Sequence, residues 1–254
     1  MDPVKNKFFQ SKIVLNLITI ITVLVVWYLI ASAHFFPKIF LPSPQDTLNS
    51  LWGLLASGKF FNALGISFLR IAVATVLAVI VGILIGVPMG ISKKAEALLG
   101  PITQPIRYLP ITALLPLLIL WFGIGETMKI IFLFSGIVFY FIPLVANAIR
   151  TAPLEYLDVA RGLGATEKQI IRKVYWPHAL PQIFDGLIVV NGIGWTYVIL
   201  AEIVNARDGL GYLINIAGRL QKSDEVFAGL ILIALVAILS DKFLHFIKRR
   251  YFFW

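Results

Sequence analysis

The sequence predicts an all-α, polytopic membrane protein with six transmembrane helices and a cytoplasmic helical segment between the fourth and the fifth. Of its 254 residues, 59% are hydrophobic and only 14% are charged, whereas about a quarter of the residues in a soluble domain are charged. The charged residues leave long charge-free runs, and a helix needs about 20 apolar residues to cross the hydrocarbon core. Lysine and arginine are also shared unequally between the predicted loops. A water-soluble fold is therefore excluded.

Six apolar runs between charged residues mark the predicted spans. They are Ile13–Pro37, Ile71–Ser92, Tyr108–Gly125, Ile130–Ile149, Gly186–Ala201 and Val226–Ser240. The last two runs are short, but the charged side chains at their ends can reach the interface while the helix continues. No stretch between the runs is long enough to fold alone. We therefore expect residues 1–254 to form a single membrane domain.

Most of the 22 lysines and arginines lie on one side of the membrane if the N-terminus is inside and the chain crosses six times. Segments rich in these residues face the cytoplasm in membrane proteins. This predicts a multi-pass membrane protein with both termini in the cytoplasm. Topology therefore accounts for the net charge of +9, and no nucleic-acid partner is needed to explain it.

The first apolar run has some features of a cleaved signal sequence. Lys5, Lys7 and Lys12 precede it, and it ends near the small residues Ala31-Ser32-Ala33. The run is longer than the usual signal core of about 7 to 15 residues, and Trp27 fits a helix that settles at a membrane interface. We therefore expect an uncleaved anchor.

Three predicted spans contain glycines or prolines at informative positions. Gly82, Gly86 and Gly90 recur every four residues, which places three small residues on one helix face. We interpret this face as a close helix crossing within the chain rather than as a dimerisation face. Pro110 lies at the start of the third run and Pro143 lies within the fourth. Breaks of this kind in membrane helices often line cavities.

The segment from Thr151 to Pro181 has the pattern of two short amphipathic helices. Leu154, Leu157, Ala160 and Leu163 recur three residues apart in the first helix, and Gly164 offers a left-handed stop. Thr166-Glu167-Lys168-Gln169 has the form of a capping box that starts a second helix. We expect Pro177 to end it. A helix pair with basic residues also suggests DNA binding, but membrane spans tie it at both ends, so a protein partner fits better.

At these residues the chain resembles the permease subunits of binding-protein-dependent ABC importers. Their motif is Glu-Ala-Ala, three residues, Gly, nine residues and Ile-x-Leu-Pro. Here Asp158-Val159-Ala160 precedes Gly164, and Val174-Tyr175-Trp176-Pro177 follows, at that spacing. Leu120-Trp121-Phe122-Gly123 and Gly209-Leu210-Gly211 are similar to the nitrate, sulfonate and taurine branch of this family.

The resemblance implies that residues 151–181, here named the coupling segment, sit in a groove of a separate ATPase subunit. It places the ATPase contacts at Asp158, Ala160, Arg161, Gly164 and Ala165. It also implies a second permease copy as a homodimer partner, two cytoplasmic ATP-binding subunits and an external substrate-binding protein. This chain would then hold no cofactor, because the partner ATPase binds ATP. Nucleotide-driven movement of the coupling segment would drive alternating access.

Polar residues within the apolar spans are candidates for the translocation path. They are Ser135, Asn147, Asn191, Trp195 and Tyr197. Hydrogen bonding between helices or anchoring at an interface explains each of them equally well. The cargo expected from the branch is a small oxyanion such as nitrate, a sulfonate, taurine or bicarbonate. No residue selects among these, and a cationic or neutral solute stays open.

An ion-coupled secondary transporter or a channel is the alternative function. Proton coupling requires an ionisable residue at membrane depth, and none of the six runs contains one. Arg70 and Glu202 lie near predicted outer ends and Asp185 near an inner end, while sodium coupling through backbone carbonyls stays open.

An enzyme is a third class. It would need a nucleophile with a base, or a metal cluster, and His34, His178 and His245 lie far apart. The sequence contains no Gly-x-x-x-x-Gly-Lys-Ser/Thr phosphate loop. The chain is therefore not the ATPase itself.

Overall fold

A computed structural model describes residues 3–33, 35–204 and 207–252, so His34 lies outside the described residues. The described chain is helical and contains no strand. Its helices are α1 (Pro3–Ser32), α2 (Pro44–Ala56), α3 (Lys59–Ile91), α4 (Lys93–Ile106), α5 (Leu115–Phe122), α6 (Glu126–Arg150), α7 (Leu154–Gly162), α8 (Glu167–Ile170), α9 (Trp176–Ile203), α10 (Leu210–Arg219) and α11 (Ser223–Tyr251). A 3₁₀ helix over Ile111–Leu114 leads into α5, and a π-helical turn over Ile171–Tyr175 joins α8 to α9.

Five helical stretches are long and apolar enough to cross a membrane. They are Val14–Ser32 within α1, α3, α6, the continuous stretch Glu167–Ile203 and α11. A sixth span exists only if α4 and the helix over Ile111–Phe122 are taken together, because they are bent by 90° at a short break. The described chain thus contains five to six spans, in agreement with the predicted class.

The third predicted span differs most from the structure. The run Tyr108–Gly125 contains a short helix over residues 111–122 instead of a full-length one. Pro110 immediately precedes that helix, and Gly123 ends it with a φ of 70°. A proline has no backbone N–H, and a left-handed glycine stops a helix. Pro110 and Gly123 therefore mark the two ends of this helix.

The expectation that Pro177 ends the second helix of the coupling segment is wrong. Pro177 lies in the first turn of α9, directly after the π-helical turn. A proline inside a continuous helix removes one backbone hydrogen bond, and the π-helical turn directly before Pro177 is the place where the helical hydrogen-bond pattern changes. The coupling segment therefore continues without a break into a span.

One compact unit comprises residues 1–61 and 213–232. Within it, Trp27 Nε1–H donates to Pro42 O at 3.0 Å, and the Trp27 ring stacks on Phe227 with centroids 5.8 Å apart. Ser43 caps α2 by accepting from the Asp46 N–H at 3.1 Å. The described side chains along α1 are mostly exposed, so this helix has the surface of a lipid-facing span.

The other unit comprises residues 62–212 and 233–254, and α6 forms its buried centre. A Cβ atom added to Gly86 would lie 2.7 Å from Val145 Cβ, and one added to Gly90 would lie 2.5 Å from Ile149 Cβ. A Cβ at Gly82 would collide with the ring of Phe141. The glycine face of α3 thus packs directly on α6, and the predicted close helix crossing is confirmed.

Candidate functional site

The first helix of the coupling segment ends in a left-handed turn at Gly164. Its φ is 77°, and its N–H donates to Arg161 O at 2.9 Å. The Ala165 N–H donates to Ala160 O at 3.0 Å. This pair of bonds is the Schellman motif, in which glycine avoids the steric cost that a side chain would meet. The left-handed stop predicted at Gly164 is confirmed.

The second helix begins at the predicted capping box. The Gln169 N–H donates to Thr166 Oγ1 at 3.4 Å, and the Thr166 N–H donates to Gln169 Oε1 at 2.8 Å. The two helices therefore meet at a turn whose geometry is set on both sides by local hydrogen bonds.

The coupling segment presents apolar side chains to the outside. Leu157 is buried, but Leu163 is 82% exposed, and Leu154 and Val159 are also exposed. The predicted contacts Asp158, Arg161 and Gly164 are exposed as well, whereas Ala160 and Ala165 are half-buried. Exposed apolar groups grouped on a polar segment are typical of a surface that binds a partner.

A cavity of about 290 Å³ lies where the two helices of the coupling segment meet. Its wall includes Leu163, Gly164, Ala165, Ile170 and Lys173. The ion pairs around it are loose, with Arg161 Nη1 3.5 Å from Asp158 Oδ1 and Arg161 Nε 3.8 Å from Glu167 Oε1. Such exposed pairs contribute little to stability, so these charges remain available to a partner.

The path candidates on α9 are largely buried. Asn191 Oδ1 accepts from Ser240 Oγ at 3.2 Å. Asn191 Nδ2 and Trp195 Nε1 are buried without a hydrogen-bond partner among the described residues. Tyr197 packs edge-on against Phe132, with ring centroids 6.0 Å apart.

The other two path candidates lie on α6 at different heights. Ser135 is half-buried and Asn147 is exposed. Twelve residues of helix separate them by about 18 Å. Asn147 lies in the wall of a separate cavity near the end of α6. The predicted path residues are therefore distributed along the spans instead of forming one compact site.

Sequence reasoning missed a buried charge cluster centred on Arg70, which is only 2% exposed. Its guanidinium holds Glu126 through two bonds of 2.6 Å. Arg70 Nη1 donates to Glu202 Oε1 at 2.8 Å and to Asp208 O at 3.1 Å. Lys129 Nζ donates to Glu126 at 2.7 Å. One arginine thus joins α3, α6, α9 and the loop that follows α9.

Glu202 is fully buried and accepts hydrogen bonds from three sides. Besides Arg70, Ser67 Oγ donates to it at 2.7 Å and the Gly211 N–H donates at 2.8 Å. Gly209 has a φ of 102°, and a side chain there would collide with the Glu202 carboxylate. A Cβ at Gly211 would lie 2.8 Å from Glu202 Cβ. The Gly-Leu-Gly motif therefore has a physical role, because it lets the backbone close around this carboxylate.

The expectation that Arg70 and Glu202 lie near the ends of their spans agrees with the structure. Glu202 is the penultimate residue of the stretch Glu167–Ile203, and the 21 residues of α3 that follow Arg70 are about the number that a helix needs to cross the hydrocarbon core. The sequence signals that could have found the cluster are the opposite charges of Arg70 and Glu202 at similar predicted depth, and the Gly-Leu-Gly motif. The two charges compensate each other.

The sequence of this chain is similar to sequences of known proteins. Residues 78–252 match the family described as binding-protein-dependent transport system inner membrane component. Over 253 residues the chain is 34% identical to the taurine transport system permease protein TauC of Escherichia coli K12, a match that covers 96% of this chain and 91% of the relative. The chain belongs to this family.

A second relative is the putative aliphatic sulfonates transport permease protein SsuC of Bacillus subtilis 168. It is 34% identical over 232 residues, which cover 91% of this chain and 84% of the relative.

Two solved structures share the fold. A bacterial ABC transporter for import of the acidic polysaccharide alginate matches with a TM-score of 0.66 at 17% identity, covering 97% of this chain and 98% of the other. An inward-facing MetNI methionine ABC transporter matches with a TM-score of 0.62 at 22% identity, covering 79% and 96%.

Membership confirms the family indicated by the coupling motif. The chain is the membrane-spanning permease subunit of an ABC importer, and it is a transport subunit rather than an enzyme. ATP hydrolysis belongs to a separate subunit, and the family implies partners that hydrolyse ATP and bind substrate. The branch similar to taurine and sulfonate permeases is also confirmed.

Proposed function

We propose that this permease imports a small oxyanion, with sulfonates such as taurine as the first class to test. Support comes from the two relatives named for taurine and aliphatic sulfonates, each 34% identical over most of the chain. The single observation that carries the coupling mechanism is the Schellman turn at Gly164, the glycine that matches the spacing of the permease motif.

In this proposal the coupling segment docks on an ATPase subunit through Asp158, Ala160, Arg161, Gly164 and Ala165. The exposed Leu163 and the cavity beside it supply apolar contact area, and the exposed charges supply specificity. The tight turn at Gly164 gives the segment one fixed shape, which lowers the entropic cost of docking.

The assembly we propose contains two copies of this permease, two cytoplasmic ATPase subunits and an external substrate-binding protein. The chain acts as one permease domain in the bacterial inner membrane, with both termini in the cytoplasm. The excess of basic residues in the predicted inner segments supports this orientation.

Ser135, Asn147, Asn191, Trp195 and Tyr197 are proposed to line the translocation path. The strongest support concerns Asn191 and Trp195, whose buried N–H groups have no acceptor among the described residues. Buried donors of this kind are normally satisfied, so they are available to water or to a passing solute when the path opens.

The test compares Gly164→Val with Gly162→Val in chains purified from native membranes. Both glycines are exposed with free space around an added Cβ, but only Gly164 has a positive φ. A β-branched residue is strongly disfavoured there. We expect Gly164→Val to lose ATPase association and ATP-driven uptake of taurine in proteoliposomes, while Gly162→Val keeps both.

Two results would contradict this proposal. Equal ATPase association by the two variants would remove the turn from the coupling mechanism. Absence of any ATPase from the intact chain, together with transport that continues without ATP, would favour an ion-coupled secondary transporter instead. Equal membrane insertion of both variants is checked first.

A further inference from the structure

An open cavity of about 200 Å³ lies beside the last turns of α6. Four polar side chains face it: Gln104, Arg107, Asn147 and Arg150. No acidic side chain is part of its wall among the described residues. Pro143, which lies inside the continuous helix α6, forms part of the wall as well. The cavity therefore combines two guanidinium groups with two neutral amides.

The two arginines differ in how their charge is compensated. Arg150 Nη2 lies 2.6 Å from Glu96 Oε1 and donates to Met89 O at 3.1 Å, so its charge is paired. Arg107 Nη2 donates to the Tyr108 hydroxyl at 2.9 Å, and its guanidinium lies over the Tyr108 ring at 4.9 Å. Neither of these contacts supplies a negative charge.

Arg107 also carries a buried donor without an acceptor. Its Nε atom is buried and has no hydrogen-bond partner among the described residues. Leaving a donor on a charged group buried and unpaired is costly. An anion in the cavity would supply the negative charge that the Arg107 guanidinium lacks. Guanidinium groups bind carboxylate, sulfonate and phosphate oxygens in pairs because their N–H groups form a planar fork.

We propose that this cavity binds a small oxyanion at the inner end of the translocation path. Arg107 binds the anionic group, and the amides of Gln104 and Asn147 donate to its remaining oxygens. The proposal rests on the oxyanion importer function and names a site for that cargo. The volume of the cavity, about 200 Å³, suits a solute as small as an oxyanion. Drug-sized ligands occupy larger pockets, of about 300–1,000 Å³.

The apolar part of the cavity wall favours some anionic solutes over others. Met89, Pro143 and Ala146 lie beside the polar groups. A solute with a short carbon chain attached to its anionic head buries that chain against these residues, whereas a purely inorganic anion cannot. The cavity therefore fits a small organic sulfonate better than nitrate.

The test measures binding of methanesulfonate to the full-length chain in phosphatidylcholine nanodiscs at constant ionic strength, with choline as the cationic control. The variants are Arg107→Gln, Asn147→Asp and the matched control Arg249→Gln, which removes the same charge from an exposed position near the C-terminus. Asn147→Asp keeps the side-chain size and adds a carboxylate to the wall, so it probes the site even if Arg107→Gln folds poorly.

We expect methanesulfonate to bind the intact chain and choline not to bind. Loss of one charged hydrogen-bonding group weakens binding by about tenfold or more, so Arg107→Gln is expected to bind at least that much more weakly. Asn147→Asp should abolish binding, and Arg249→Gln should match the intact chain. Equal affinity of Arg107→Gln and the intact chain would overturn the site, as would equal losses in Arg107→Gln and Arg249→Gln.

A phospholipid headgroup presents the same oxyanion chemistry, so the measurement is repeated with phosphatidylglycerol in the nanodiscs. Methanesulfonate binding that persists there supports a solute site. Binding of phosphatidylglycerol at Arg107 without any binding of methanesulfonate in either lipid overturns it.

The importer proposal is tested separately, by co-purification of the ATPase with the chain. ATPase association with normal uptake by Arg107→Gln would overturn only the cavity. Absence of the ATPase from the intact chain would overturn only the importer mechanism, because methanesulfonate binding is measured without it.

Discussion

The buried Glu202 offers the sharpest test of the charge cluster, through the substitution Glu202→Gln. Its Oε1 accepts from Arg70 and its Oε2 accepts from the Gly211 N–H. An amide in the same place turns an NH₂ group toward one of these donors, whichever way it is oriented, and leaves Arg70 without its fully buried counter-charge. Breaking a buried ion pair by removing one partner costs about 3–5 kcal/mol. For a chain of this size that is a fall in Tm of about 10 °C.

The matched control is Glu225→Gln. Glu225 forms an equally short ion pair, with Oε1 2.8 Å from Lys222 Nζ, but the pair is at the surface. Exposed pairs contribute about 0–1 kcal/mol, so this variant should melt close to the intact chain. The assay is the thermal stability of the monodisperse chain in one detergent. Equal Tm values for the two variants would refute the role assigned to burial.

A double substitution sharpens the result. Arg70→Met with Glu202→Gln removes both charges of the pair, so the combined loss should be smaller than the sum of the single losses. Simple additivity would show that the two residues act independently, in contradiction to the 2.8 Å contact between them.

Two further predictions use glycines with matched controls. Gly86→Leu inserts a side chain where α3 touches α6, so we expect lower yield of folded chain and a Tm several degrees lower, whereas Gly65→Leu, which has open space on the same helix, should be tolerated. Gly209→Ala and Gly58→Ala both place a side chain at positive φ, at a cost of about 1–2 kcal/mol. Only Gly209→Ala also collides with Glu202, so its Tm should fall further, and equal Tm values would contradict the close approach.

The parts of the fold that follow from local rules were predictable from the sequence. Gly82, Gly86 and Gly90 predict a close helix crossing because helical periodicity places them on one face. Gly164 announces a left-handed stop because it follows an amphipathic helix and precedes a capping box. In both cases the determining residues lie within a few turns of one another.

The third span could not be predicted in the same way. Apolar length alone suggested a full helix over Tyr108–Gly125, but Pro110 and Gly123 fix the ends of a shorter one. If α4 and the helix over 111–122 form one span, α4 supplies the missing length, and its polar first turn hid it from a search for charge-free runs. A proline leaves a carbonyl oxygen earlier in the chain without its N–H donor. Whether the proline ends, bends or starts a helix depends on which group replaces that donor, and tertiary structure decides this.

The charge cluster could not be predicted from the sequence either, because it also depends on tertiary structure. Arg70, Glu126 and Glu202 are far apart in the chain, and each taken alone fits a charged residue at a membrane interface. Only the packing of α3, α6 and α9 brings them within hydrogen-bond distance. Periodicity predicts faces of helices, but it does not predict which faces meet.

The position of the coupling segment explains how movement there would reach the proposed oxyanion cavity. Thr151 follows the last residue of α6, and its Oγ1 lies 2.8 Å from both Ala148 O and Gln182 Oε1, which joins the end of α6 to the start of α9. Arg150 and Asn147, which form part of the cavity wall, lie one and four residues before Thr151. Helix α6 is also packed on the glycine face of α3 without space for a methyl group. Under the proposed coupling mechanism, displacement of the segment by an ATPase would move the cavity wall directly, whereas the charge cluster around Arg70 lies at the far end of the same helices.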